Sequence, residues 1–207
     1  MRWFQPALSA WAYFAFSLVA YLFTGYRLRA RPIALGAFLL SAPVLHSLQL
    51  GNVDILVMLG FALPAPVGIF FVLVKPQMGI GMAIFWLVEA WKRGGIRRVV
   101  QTFLPVTAVL GASFALFGNW LERGSDSFVS SGWNSSLWPY SIPLGLALLY
   151  LALKYVRPRL AIPASPFLSP YVAFNSWQVA LAGLLGNDWG MVLAVGGIWI
   201  FSFLVIK

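Results

Sequence analysis

The feature that most constrains this chain is the continuity of its apolar runs, which are separated by short polar breaks and do not alternate with polar residues. Runs such as Ala12 to Phe23 and Ile33 to Leu40 are apolar on every side, so a helix built from them has no face for water. A hydrocarbon core about 30 Å thick needs about 20 such residues per helical crossing, and the chain supplies several stretches of that order. Closed membrane barrels need short segments of alternating polarity, which these runs lack. With 61% hydrophobic and 9% charged residues, against about 25% charged in ordinary soluble domains, soluble α/β and all-β folds drop out. The expectation is an all-α, polytopic transmembrane helical bundle, a single integral membrane domain over residues 1–207. It should hold short discontinuous helices among about seven to nine membrane segments.

The formal net charge of +9 raises nucleic acid as a partner. Ten of the fourteen basic residues, however, fall in three clusters between apolar runs. These are Arg27, Arg29, Arg31; then Lys92, Arg93, Arg97, Arg98; then Lys154, Arg157, Arg159. That distribution fits cytoplasmic loops under the positive-inside rule, so the expected partners are membrane lipids with anionic headgroups and no nucleic acid. With no cysteine and one histidine, thiol chemistry is excluded and neither a metal nor another cofactor is expected. Met1 to Pro6 lacks the basic start of a secretory signal, so the first helix reads as retained.

Apolar segments fall at roughly 7–24, 33–50, 53–91, 99–121, 140–156, 160–186 and 190–206. If every basic cluster is cytoplasmic, each interval between clusters holds an even number of crossings. Residues 99–153 satisfy this with an outward and a return helix, leaving 122–139 external. Residues 53–91 are too long for one return, and three short helices broken at Pro64-Ala65-Pro66 and Lys75-Pro76-Gln77 fit better. Segments of about 8 to 14 residues reach only about 12 to 21 Å, so they must lean on neighbours. This arrangement puts Gly51 to Asp54 and Lys75 to Gln77 near the same outer face. Toward the C-terminus, Pro163, Pro166 and Pro170 interrupt another apolar segment, with the break expected at Ser169-Pro170.

Lys75 places a charge between Phe70 to Val74 and Met78 to Trp86, which costs about 2.5 to 3.5 kcal/mol at a helix centre. With Gln77 it suits an anionic ligand such as a lipid phosphate; alternatively it snorkels to the headgroups. His46 and Gln49 precede Gly51-Asn52-Val53-Asp54 on one helical face. This polar strip suits a sugar hydroxyl or a proton, with Asp54 as base; alternatively Asn52 or Asp54 caps a helix and His46 bonds a neighbour. Glu89 reads as a helix-end partner of Lys92 and Arg93, and Glu122, Arg123 and Asp126 as solvated charge. Trp120, Trp133, Trp138 and Tyr140 read as an interfacial belt, or as a stacking surface beside Asn134 and Ser135.

The order of Gly51-Asn52-Val53-Asp54, a short apolar hairpin, Lys75-Pro76-Gln77, a basic loop and Ser169-Pro170-Tyr171 resembles the C-terminal half of glycosyltransferase family 87. That family belongs to the GT-C superfamily of polyprenyl-phosphate-sugar-dependent membrane enzymes. Its first break usually reads Gly-Gln-x-Asn, where this chain has Asn52 and Asp54. Its Ser-Pro-aromatic break usually continues with histidines or Tyr-Asp, where this chain has Val172-Ala173-Phe174-Asn175. The resemblance implies transfer of a mannose-like sugar from a polyprenyl-phosphate donor on the outer side of a bacterial plasma membrane. It implies Lys75 as the group for the donor phosphate; taken with the reading of the residues, the candidate substrate-binding residues are Lys75, Gln77, Asn52, His46, Gln49, Ser169 and Tyr171, and Asp54 is the candidate for an otherwise unassigned catalytic carboxylate. GT-C enzymes carry an acid in the first external loop, whereas no Asp or Glu precedes Asp54 here. The resemblance therefore implies that the catalytic half lies in a separate partner membrane protein or in a missing segment, or that the chain is an inactive relative. A small transporter and a non-catalytic membrane subunit stand as the other classes.

Overall fold

The computed structural model describes residues 6–119 and 133–205. The readings of Met1 to Gln5, Trp120, Glu122, Arg123 and Asp126 lie outside them. The described residues form an all-helical protein, 79% helix with no strand. Helix α1 (Pro6–Arg27) ends on a basic residue that complements its C-terminal dipole. Helices α2 (Pro32–Leu39) and α3 (Ala42–Leu50) each begin at a proline within the first turn, where a missing N–H is harmless, and meet at a 52° bend. Gly51 closes α3 in the left-handed region at φ +60°, ψ +39°, a conformation glycine adopts without a Cβ clash.

Next come α4 (Asp54–Ala62), α5 (Ala65–Val72) and the helical run α6 (Pro76–Phe117). The breaks fall at Leu63-Pro64 and Leu73 to Lys75, as the prolines require. The run α6 is interrupted by non-helical backbone at Gly94 and Gly95, with Gly95 at φ +56°. It therefore consists of residues 76–93 and 96–117, hinged inside the second basic cluster. Then follow α7 (Ile142–Tyr155), α8 (Pro158–Phe167), a 3-10 turn (Phe174–Trp177), α9 (Gln178–Ala182) and α10 (Asp188–Val205).

One expectation needs correcting: Pro163 and Pro166 lie inside α8, and the interruption begins only after Phe167. Tight packing holds that helix together. A Cβ on Gly81 would sit 2.4 Å from the Ala161 carbonyl oxygen, and one on Gly183 would sit 2.7 Å from Pro163. The Gly81 N–H donates to Ser165 Oγ at 3.0 Å. Glycine surfaces on two sides thus let neighbouring backbone close on α8 and offset what the prolines remove.

The core lies where α4, α5, residues 76–93 and α8 pack in sequence, with α1 against α4, α7 and α9 against α8, and α10 against α2. Ile55, Met58, Ile69, Met78 and Ile162 are fully enclosed there. Outside, many large apolar side chains face outward: Trp11, Val19, Leu104, Leu116, Phe117, Leu193 and Phe203 are all exposed. Among the described residues, the run Pro76–Phe117 has the length and apolar composition to cross a membrane. Only 11% of its most apolar window is buried, the reverse of a soluble protein's core helix. The bent pair α2 and α3 meets the same length and composition test when taken together.

The three basic clusters converge at one end. The Arg31 N–H donates to the Leu185 carbonyl at 2.8 Å, and its guanidinium pairs with Asp188 at 3.5 Å. The Arg159 guanidinium lies over Gly186 in the same turn. Lys92 and Arg93 border a small hollow with Leu153 and Val156, beside the third cluster.

Candidate functional site

Away from those clusters, three chain breaks come together around Asp54. Asp54 opens α4, where the helix dipole favours a carboxylate, and is wholly buried. Lys75, the residue before α6, ion-pairs with Asp54 Oδ1 and donates to Asn52 Oδ1 at 2.8 Å. The other carboxylate oxygen accepts from Gln178 Nε2 at 3.0 Å, from Ser47 Oγ at 3.4 Å and from Asn175 Nδ2. Gln178 also donates to the Asn175 backbone carbonyl at 2.9 Å and accepts from the Tyr21 hydroxyl at 2.6 Å. The Tyr13 hydroxyl donates to the Asn52 carbonyl. Four segments are thus tied to one carboxylate: α1, the 47–54 break, Lys75 and the 174–178 turn. In such a network a satisfied charge is tolerated, but removing one partner of a buried pair costs about 3 to 5 kcal/mol.

Asn52, Asp54 and Lys75, named from the sequence, therefore meet as one cluster. His46 lies one residue before Ser47, with its ring edge-on to Phe174 at a 5.8 Å centroid distance. Its Nδ1 is buried without a hydrogen-bond partner. Gln49 is exposed and Gln77 half-buried, and neither joins the cluster. Ser169 closes a local turn: its hydroxyl donates to the Tyr171 carbonyl at 2.8 Å and accepts from the Tyr171 N–H at 3.3 Å. Asn134 is occupied with bracing the same turn, donating to the Pro170 carbonyl at 3.0 Å and accepting from the Val172 N–H at 3.1 Å. Glu89 pairs with Arg93 at 2.7 Å, as its spacing predicts.

Ser47, Asn175, Gln178, Tyr13 and Tyr21 receive no role from the sequence. The signal that could have found two of them is the three-residue spacing of Asn175 and Gln178 directly after the Ser-Pro break, which puts two amides on one helical face.

Beside the cluster lies a cleft of about 1230 Å³. Pro43, Leu50, Ala194, Gly197, Ile198 and Phe201 make apolar walls, and Trp133 and Trp177 add aromatic surface. The polar lining comes from His46, Ser135, Ser136, Tyr171 and Asn175, none of which carries a fixed charge. Asn175 is shared: it lines the cleft and donates to Asp54. Among the described residues no group of three His, Asp or Glu side chains could hold a metal ion.

No protein-family model, curated protein or solved structure matches this chain. What fold and site define is an all-α protein with many large apolar side chains exposed, a buried ion-pair cluster and a largely apolar cleft.

Proposed function

We propose that this chain is a multi-pass integral membrane protein that binds a polyprenyl-phosphate-linked sugar in the cleft, as a glycosyltransferase-like component of a bacterial plasma membrane. The observation that carries the reading is the cleft itself, which pairs apolar walls suited to an isoprenoid chain with an uncharged polar lining suited to a sugar. The exposed apolar side chains and the run Pro76–Phe117 support membrane residence, and the discontinuous helices support about seven to nine membrane segments in all.

The state of the acids favours a second reading, a non-catalytic subunit. Among the described residues, Asp54 is saturated by its four donors, Glu89 pairs with Arg93, and Asp188 pairs with Arg31 while accepting the Ala34 N–H at 2.9 Å. None of them is free to act as a base in the cleft. Sugar transfer then requires an acid from a partner membrane protein or from outside the described residues.

The test uses the full chain in lipid nanodiscs and a fluorescent polyprenyl-phosphate mannose. A Cβ at Gly197 meets nothing within 4 Å, so Gly197→Trp fills the cleft without displacing the fold. Saturable binding by the wild type that disappears in Gly197→Trp is expected; equal binding by both sinks the reading. Release of free polyprenyl phosphate on adding an acceptor separates an enzyme from a binding subunit.

A further inference from the structure

We propose that Asn175 Oδ1 forms a hydroxyl-recognising subsite in the cleft, and that Asp54 acts through Asn175 as a positioning residue. The inference deepens the cleft reading above and rests on it. An ionised carboxylate only accepts hydrogen bonds, so Asn175 must turn its amide nitrogen toward Asp54. That fixes the side chain's orientation. Its carbonyl oxygen is then the group this residue, only 3% exposed, can offer to the cleft that it lines.

The rest of the network leaves little freedom to reverse the amide. Gln178 is held at both ends, by Tyr21 on its oxygen and by Asp54 and the Asn175 backbone carbonyl on its nitrogen. Lys75 is committed to Asp54 and Asn52 and is not part of the cleft lining. The cluster as a whole is neutral, so it presents no net charge to a phosphate or an ammonium. His46 shares the cleft lining, with its own Nδ1 enclosed by protein. An acceptor held in uncharged surroundings selects a neutral donor, the hydroxyl of a sugar or polyol headgroup. The phosphate of the same amphiphile is left to other parts of the cleft.

The experiment titrates two probes of equal chain length, decyl mannoside and decyl phosphate, into the full chain in nanodiscs, with empty nanodiscs as blank. Asn175→Leu is expected to weaken decyl mannoside about tenfold while decyl phosphate changes by less than about twofold, the loss of one well-placed hydrogen bond. Asp54→Asn, which unlocks the amide, should lower the mannoside-to-phosphate selectivity in the same direction, a ratio that a purely structural role leaves unchanged. Retained mannoside affinity in Asn175→Leu overturns the proposal. Should that variant weaken both probes together, Asp54→Asn decides: a mannoside-selective loss supports the subsite and any other result overturns it. Failure of the wild type to bind either probe overturns the cleft reading and this subsite with it, whereas binding without selective loss overturns the subsite alone.

Discussion

At the scale of single residues, the chain's least replaceable group is a carboxylate that never meets solvent. Asp54 is wholly buried, and its stability depends on Lys75, whose side chain is 18% exposed. Lys75→Met leaves an unpaired charge among Ser47, Asn175 and Gln178. Thermal unfolding in detergent should show a loss of about 3 kcal/mol. Adding Asp54→Asn to Lys75→Met should restore part of that loss, because an amide needs no counter-charge. A double variant no more stable than Lys75→Met alone contradicts the pairing. Asp54 and Lys75 were legible in the sequence because a charge in an apolar run demands an explanation. Asn175 and Gln178 were not, because an isolated amide beside a turn looks the same whether it faces solvent or a buried acid.

Among the elements, close backbone approach decides which glycines matter. A Cβ on Gly79 would lie 2.2 Å from the Val72 carbonyl oxygen, where the α5–α6 turn folds back on itself. Backbone cannot yield as a side-chain tip can, so Gly79→Ala should destabilise by about 2 kcal/mol or more. Gly196 in α10 meets nothing within 4 Å. Gly196→Ala should instead be neutral or stabilise by up to about 1 kcal/mol through helix propensity. Chemical denaturation of both variants checks the contrast, and similar effects would mean the contacts do not control stability. The persistence of α8 across Pro163 and Pro166 belongs to this scale too. Local rules end a helix at such prolines, but enclosure by Gly81 and Gly183 keeps this one intact.

For the molecule as a whole, the three basic clusters gather at one end although Lys92 lies 61 positions after Arg31 and Lys154 lies 56 positions after Arg98 along the chain. If that end faces the cytoplasm, Arg29→Cys, Arg97→Cys and Arg157→Cys should all react with a membrane-impermeant maleimide from the inner side only. The absence of native cysteine makes each label unambiguous. Labelling of any one of the three from the outer side would break the proposed topology. The same convergence keeps the cations away from the cleft, whose lining carries no fixed charge.

The sequence by itself determined that the chain is helical, where its prolines divide residues 53–91, and that Asn52, Asp54 and Lys75 needed an explanation. Those properties are local: apolar continuity, proline's missing N–H and the cost of a lone charge all act within a few residues. Only the tertiary structure decided that Asp54 receives Asn175 and Gln178, more than a hundred residues away, and that Tyr21 completes their hydrogen bonds. It also decided that His46 and Asn175 share a cleft, while Gln49 and Gln77 stand apart from the cluster. Pairings of that kind depend on which helices pack together. That choice depends on where small residues let backbones approach, a property of two distant segments jointly that neither one carries alone.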